Sequence, residues 1–168
     1  TGTNNAFPEL REATSAGLAG GLLASGQIPA AIGLRRNKRL LVRVPQQQLC
    51  EWALVEVAVS PQRFVGARAL SRSEDLAEVF ACFAEPHAIG LSAICGLWCP
   101  VSRQAEQGAW VRLDASATQV LLAPLAPGLL QGCGVTASGP LQPGVAYPLS
   151  LRSGTLALDG EREIEFAE

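Results

Sequence analysis

The amino-acid sequence predicts a mainly β domain with a few helices, an α+β fold, and three observations support it. From residue 109 onward, short apolar segments recur about every 8–12 residues, the spacing of consecutive strands in a sandwich or a folded-over sheet. Turn pairs such as Pro127-Gly128, Gly139-Pro140 and Pro143-Gly144 separate them. In the last segment, GTLALDGEREIEF, wet and apolar positions alternate around Asp159-Gly160, a pair typical of a type I′ hairpin turn.

Composition limits the functional classes. Hydrophobic residues make up 48% of the 168 residues and charged residues 17%, which indicates a globular chain. The net charge of −2 provides no basic field for nucleic acid or an anionic membrane, and no apolar run approaches the roughly 20 residues of a bilayer span. We therefore expect no nucleic-acid or membrane partner, and instead a small ligand or a protein.

The start of the chain lacks the features of a natural N-terminus. The sequence begins at Thr1, contains no methionine and shows no secretory signal. We expect a processed or trimmed piece of a cytoplasmic protein.

Two helices are predicted. In the first, from Glu9 to Ala24, small and apolar residues recur at helical spacing, and Gly26 ends it. Its internal glycines, Gly17, Gly20 and Gly21, are interpreted as a site of close backbone approach. The second begins at Ser73, a favoured N-cap residue followed by two acids, and continues through LAEVFACFA. The apolar segment from Ile89 to Trp98 fits either a helix or a strand.

The remaining apolar segments are predicted to be strands. Ala31–Leu34 and Leu40–Val44 would form a hairpin around the basic turn Arg35–Arg39, whose four cations either bind phosphate or carry solvated surface charge. An apolar run follows at Trp52–Val59. The later strands are Ala109–Leu113, Val120–Leu122, Val135–Ala137, Tyr147–Leu151, Thr155–Leu158 and Glu163–Phe166.

Few residues carry recognisable chemistry. The loop with Gly2, Thr3, Asn4 and Asn5 precedes a helix, and its N–H groups could bind an anion, although it has no Walker lysine. Glu56 lies in an apolar run, where an unpaired carboxylate is costly to bury, so it either faces solvent or is retained for a ligand.

The other polar candidates are weaker. Ser92 offers a hydroxyl in a turn of small residues without the nucleophile-elbow pattern, and His87 suits a surface or capping role. The five cysteines form no two close-spaced ligand couples, so we interpret them as buried thiols. We predict no catalytic residue and no metal site in this chain.

Several segments, in order, resemble one family. TGTNNAFPE at the start, FAEPHAIGLSAICGL from Phe83 to Leu97, and GTLALDGEREIEF at the end resemble acetoin-catabolism protein X, which is similar to the ATP–NAD kinases. The resemblance implies the β-sandwich-like C-terminal domain of the NAD kinase/diacylglycerol kinase-like fold. Residues 1–26 would then be a loop and helix linking to a missing N-terminal nucleotide-binding domain, and residues 27–168 the β-rich domain.

The resemblance also implies a function. In NAD kinases the catalytic aspartate belongs to a GGDG motif, which would lie upstream of Thr1, so this chain alone is not expected to be active or to hold a cofactor. The intact protein would use ATP or NAD with a divalent cation, and this part would contribute ligand binding and homo-oligomer contacts. The ligand residues expected here are Gly2, Thr3, Asn4, Asn5, Glu56 and Ser92.

Two departures from the kinase pattern leave an alternative open. Val55 stands where NAD kinases have the Asn of an Asn-Glu pair, and the loop at Ala88–Gly96 has neither the Thr nor the Tyr of its counterpart. The ligand is then a different nucleotide or phosphorylated molecule, or the chain is a non-catalytic regulatory or oligomerisation module.

Overall fold

A computed structural model describes residues 13–63 and 72–167. The helices are α1 (Ala13–Ala24), α2 (Ala30–Gly33) and α3 (Ser92–Trp98). The strands are β1 (Leu40–Val44), β2 (Leu49–Ala53), β3 (Glu56–Ser60), β4 (Glu78–Ala81), β5 (Gly108–Leu113), β6 (Gln119–Ala126), β7 (Leu129–Leu141), β8 (Ser153–Leu158) and β9 (Arg162–Ala167). The mainly β prediction is confirmed.

The centre of the molecule is a seven-stranded antiparallel sheet. Its strand order is β6-β7-β5-β4-β3-β8-β9, so β6 and β9 form its two edges. A separate two-stranded sheet pairs β1 with β2. The strands β3 and β4 lie in the middle and are buried throughout.

Different elements cover the two sides of the sheet. On the α3 side, Ala58, Val79 and Val111 form one apolar core with Ile94 and Cys95 of the helix. On the hairpin side, Val57, Phe80 and Leu158 form a second core with Val44 and Ala53 of the β1–β2 hairpin. Because successive side chains of a strand point to opposite sides, each central strand contributes to both cores.

The helix predicted from Ser73 is wrong. A 3₁₀ turn spans Ser73–Asp75, and the apolar run after it is β4. Since β4 is buried on both sides, apolar residues occupy nearly every position, and such a run has no period that separates a strand from a helix. The ambiguous segment before Trp98 contains α3.

Two strand predictions are also wrong. Ala31–Leu34 overlaps α2 and forms no hairpin with β1, which pairs with β2 instead. The segment Tyr147–Leu151 is a loop whose apolar side chains lie against the hairpin-side core. Apolar residues in a loop that covers a core resemble a strand in sequence.

The predicted N-terminal helix agrees with α1, except that its first residues lie outside the described part. Gly26 ends it with a left-handed φ of 74°, as expected of a helix C-terminus. A Cβ atom added at Gly17, Gly20 or Gly21 would meet no described atom within 4 Å. The predicted close backbone approach is therefore wrong for the residues described. None of the described helices has the length and apolar character needed to cross a membrane.

The terminal hairpin is confirmed. Asp159 and Gly160 both have positive φ, 55° and 69°, as a type I′ turn requires. Along β9 the two glutamates, Glu163 and Glu165, are exposed, whereas Ile164 and Phe166 are partly buried against the hairpin-side core. The alternation of polar and apolar residues was therefore sufficient to predict this hairpin.

Candidate functional site

Glu56 is a buried acid at the start of a central strand. Only 4% of its surface is exposed, so the alternative in which it faces solvent is wrong. It shares its side of β3 with Ala58 and Ser60, which is the α3 side. A carboxylate is placed in the interior only where its surroundings compensate for lost hydration, and this makes Glu56 the centre of the candidate site.

The terminal turn holds the backbone around Glu56. The Asp159 carboxylate accepts hydrogen bonds from three successive N–H groups: those of Leu54 at 3.0 Å, Val55 at 2.8 Å and Glu56 at 3.2 Å. In return, the Asp159 N–H donates to the Glu56 carbonyl at 3.0 Å. Charge-assisted bonds of this kind are stronger than neutral ones, so the corner between β2 and β3 is fixed by a residue far along the chain. We call it the Asp159 corner.

Ser92 lies on the same side of the sheet as Glu56. It is the first residue of α3 and is 1% exposed, so its hydroxyl is buried rather than presented in a turn. One helical turn on, the pKa of Cys95 is held well above its ordinary value by the hydrogen bond with Cys99, by burial and by the negative charges of Cys99 and Glu56. Glu56 and α3 thus lie on the same side of the sheet, where α3 packs mainly on β4, β5 and β6.

The pKa of a second thiol, that of Cys82, is influenced by several charged groups, including Glu56. Burial raises the pKa of Cys82 to about 12, the charges of Asp159 and Glu56 add to this, and the Lys38 charge opposes it. Burial also lowers the pKa of Lys38, whose Nζ donates to the carbonyls of Ser102 at 3.0 Å and Gln107 at 2.8 Å. Lys38 is therefore held by backbone carbonyls and is partly withdrawn from solvent.

The basic segment before β1 is only partly available for phosphate. Lys38 is engaged with two backbone carbonyls, and the Arg39 guanidinium lies 3.6 Å from the centroid of the Trp52 ring. Arg35 and Arg36 are exposed. Two of the four cations thus have structural contacts, which fit neither phosphate binding nor freely solvated charge for those two.

Val55, which the predicted kinase resemblance aligns with an asparagine, has an apolar environment. Its side chain is 2% exposed and packs with Cys82 and Phe83. An asparagine side chain offers donors and acceptors that bind polar groups, and Val55 cannot supply them. Val55 therefore does not fit the asparagine contact that the predicted kinase resemblance implies.

Two polar groups and one groove were not predicted from the sequence. Glu78, 1% exposed, accepts from Arg112 Nε and Nη2 at 2.9 Å each and from the Ser150 N–H at 3.0 Å. For Glu78, as for Glu56, the signal available in the sequence was an acid within an apolar run. The other missed group is the acceptor role of Asp159. The groove, of about 610 Å³, lies between the two hairpins and is lined by Gln47, Leu49, Glu51, Leu158, Arg162, Glu163, Ile164 and Glu165.

The remaining candidates lie apart from Glu56 or outside the described residues. Gly2, Thr3, Asn4 and Asn5 fall outside the described part. His87 has an 83% exposed side chain, with Nε2 3.6 Å from a carboxylate oxygen of Glu85, so its predicted surface role is confirmed. Three cysteines are buried, as predicted, whereas Cys50 is exposed. Within residues 13–63 and 72–167, no three His, Cys, Asp or Glu side chains are grouped as a metal site would require.

Comparison with known proteins places this architecture in a family. The sequence model of the acetoin catabolism protein X C-terminal domain matches residues 38–168. The chain belongs to the acetoin catabolism protein X family. It is 46% identical over 173 aligned residues to acetoin catabolism protein X of Cupriavidus necator, covering 99% of this chain but 48% of that relative.

Members of the acetoin catabolism protein X family can thus be about twice as long as this chain, which spans about half of the matched relative. The predicted resemblance to the family is confirmed. No solved structure matches the chain, so the relation to the NAD-kinase fold stays a prediction.

Proposed function

We propose that this chain is the C-terminal part of an ATP–NAD-kinase-like protein and contributes Glu56 and Ser92 to a site for a nucleotide or another phosphorylated ligand. The loop with Gly2, Thr3, Asn4 and Asn5 would supply backbone N–H groups to the same ligand. The observation that carries the proposal is the burial of Glu56 on the side of the sheet that also carries α3, whose first residue is the buried Ser92.

The chemistry of the site supports a polar ligand. Buried ionisable groups are frequent at functional sites, and Glu56 is buried with its backbone held by the Asp159 corner. The relative's name associates it with acetoin catabolism. We infer that the complete protein is cytoplasmic and acts in that process, with a divalent cation accompanying the nucleotide.

Calorimetric titration of the complete protein with ATP and with NAD, each with Mg²⁺, tests this proposal. We expect one of the two to bind, and Glu56→Gln to weaken binding by at least about tenfold, the effect of losing one charged hydrogen bond. Glu106→Gln, an exposed acid outside the site, is the matched control. Absence of binding by the unmodified protein, or equal affinity of the Glu56 variant, argues against it.

A second candidate function is a non-catalytic regulatory or oligomerisation module that keeps the fold. The apolar packing of Val55 with Cys82 and Phe83 favours it, because the position cannot contact a dinucleotide through a polar side chain. In this case NAD is not phosphorylated by the protein in the presence of ATP and Mg²⁺, even where a nucleotide binds. Formation of NADP in that assay would exclude it.

A further inference from the structure

One edge of the central sheet exposes large apolar side chains on its hairpin side. Val120 and Leu122 of β6 are 65% and 59% exposed, and Leu130 of the neighbouring β7 is 59% exposed. The residues opposite the first two are glycines, Gly134 and Gly132, so no cross-strand side chain of β7 covers them. We call Val120, Leu122 and Leu130 the β6 apolar face.

The two strands that carry this face are uncharged. Between Asp114 and Arg152 the sequence contains no Asp, Glu, Lys, Arg or His, and this stretch includes all of β6 and β7. A partner that brought charges to the face would lose their hydration without gaining a counter-charge. The surface that matches an uncharged apolar face is another uncharged apolar face.

The backbone of β6 also favours pairing with another strand. Within the described residues, β7 is the only strand that pairs with β6, so the outer edge of β6 has main-chain groups without a strand partner. Pro124 has no N–H, and its carbonyl accepts from the Gly90 N–H at 2.9 Å, so a new strand would pair along residues 119–123. An edge of this kind is a template for strand pairing unless charges guard it, and β6 carries no charge.

The opposite edge is guarded. β9 carries Arg162, Glu163 and Glu165, all exposed. In addition, the Gln47 side-chain amide donates to the Glu165 carbonyl at 2.6 Å. The two edges of one sheet thus differ in the features that prevent or allow strand pairing.

We propose that the β6 edge is an interface with a second copy of this chain. Antiparallel pairing of β6 with its copy about a two-fold axis continues the sheet, satisfies the outer main-chain groups and brings the two β6 apolar faces side by side. A two-fold interface is self-complementary, and β6 has no charge that would repel its copy. This interface is independent of the ligand site at Glu56, and it locates the oligomer contacts of the second candidate function.

Sedimentation velocity on the protein at about 1 to 100 µM tests the interface. We expect a dimer, and we expect Leu122→Asp to raise its dissociation constant at least about 100-fold, because two-fold symmetry places both new charges in one apolar interface. Val145→Asp is the matched control, since Val145 is 56% exposed but lies in the loop after β7. Circular dichroism of each variant verifies that it is folded. If Leu122→Asp does not fold, Leu130→Asp replaces it in the test.

Hydrogen exchange identifies the strand involved. In the dimer, amides within residues 119–123 gain protection as concentration rises, whereas those of β9 do not change. A monomer at all concentrations overturns the proposal, as does equal dissociation by Val145→Asp. Protection of β6 at every concentration in a monomer also overturns it, because another part of the same polypeptide then covers the face. Open-ended association without a dimer plateau contradicts it as well.

Discussion

The two sides of the central sheet are filled with side chains of different size. The α3 side is built from small residues, among them Ala58, Ala81, Ala109, Ala123 and Ala157. The hairpin side has large ones, including Phe80, Leu156 and Leu158. Small side chains let a helix backbone approach a sheet closely, whereas the hairpin is held at a distance that large side chains fill. The same strands therefore tolerate opposite kinds of substitution on their two sides.

The largest effect is expected from removing volume on the hairpin side. Leu158 is fully buried, and Leu158→Ala should lower the free energy of unfolding by roughly 3 kcal/mol through lost burial and the cavity left behind. Urea denaturation measures this, with the exposed Val145→Ala as control. A loss below about 1 kcal/mol would mean that the hairpin collapses onto the gap and that the hairpin side is not densely packed.

The charged pair on the hairpin side comes next. Arg112→Ala leaves the Glu78 carboxylate buried without its cation, and we expect a loss of about 2–3 kcal/mol, less than for a fully buried pair because Arg112 is 43% exposed. The control is Arg72→Ala, which removes an ion pair with Glu74 between two exposed side chains and should cost under about 1 kcal/mol. Equal losses of stability in the two variants would show that the pair with the buried Glu78 stabilises the fold no more than an exposed ion pair does.

On the α3 side, added volume is the damaging change. Ala157 is the neighbour of Leu158 on β8 but points to the other side of the sheet. Ala157→Leu should destabilise the protein by about 2 kcal/mol by overfilling the core on that side of the sheet. Urea denaturation measures the loss, and near-UV circular dichroism reports the change in side-chain packing. A neutral or stabilising result would disprove the close-packed description of this side.

The smallest effect at neutral pH is that of a buried thiol, because it appears only under alkaline conditions. Burial raises the pKa of the Cys133 thiol on the α3 side to about 11, above the ordinary value of 9.0. Below pH 9 the thiol is protonated in both states and its contribution to stability is complete. Between pH 9 and 11 the unfolded state loses the proton first, so stability falls by up to about 1.4 kcal/mol per pH unit.

A Cys133→Ala variant isolates this contribution. Its free energy of unfolding should fall less steeply between pH 9 and 11 than that of the unmodified protein, while Cys82 and Cys95 keep their own share in both. Equilibrium unfolding at several pH values under reducing conditions gives the two slopes. Identical slopes would show that Cys133 ionises equally easily in the folded state.

The sequence predicted the strands that a turn pair or an exposed side marks. β8, which is buried, was found from the Asp159-Gly160 turn pair, and β9 from that turn and its alternating residues. β4 was not found, because a strand covered on both sides has no alternation. At the site, the unusual acid at Glu56 was recognised from its apolar neighbours. The Asp159 corner was not, because a hydrogen bond between residues about a hundred positions apart leaves no local pattern.

The Asp159 corner has a consequence for how the chain assembles during synthesis. The N–H groups of Leu54, Val55 and Glu56 receive their acceptor only after the ribosome has added residue 159. β3 likewise gains its β8 partner late. Contacts between such distant residues form slowly, so the segment around Glu56 must wait for nearly the whole chain. A polypeptide terminated before Asp159 would therefore leave the nascent site unfinished.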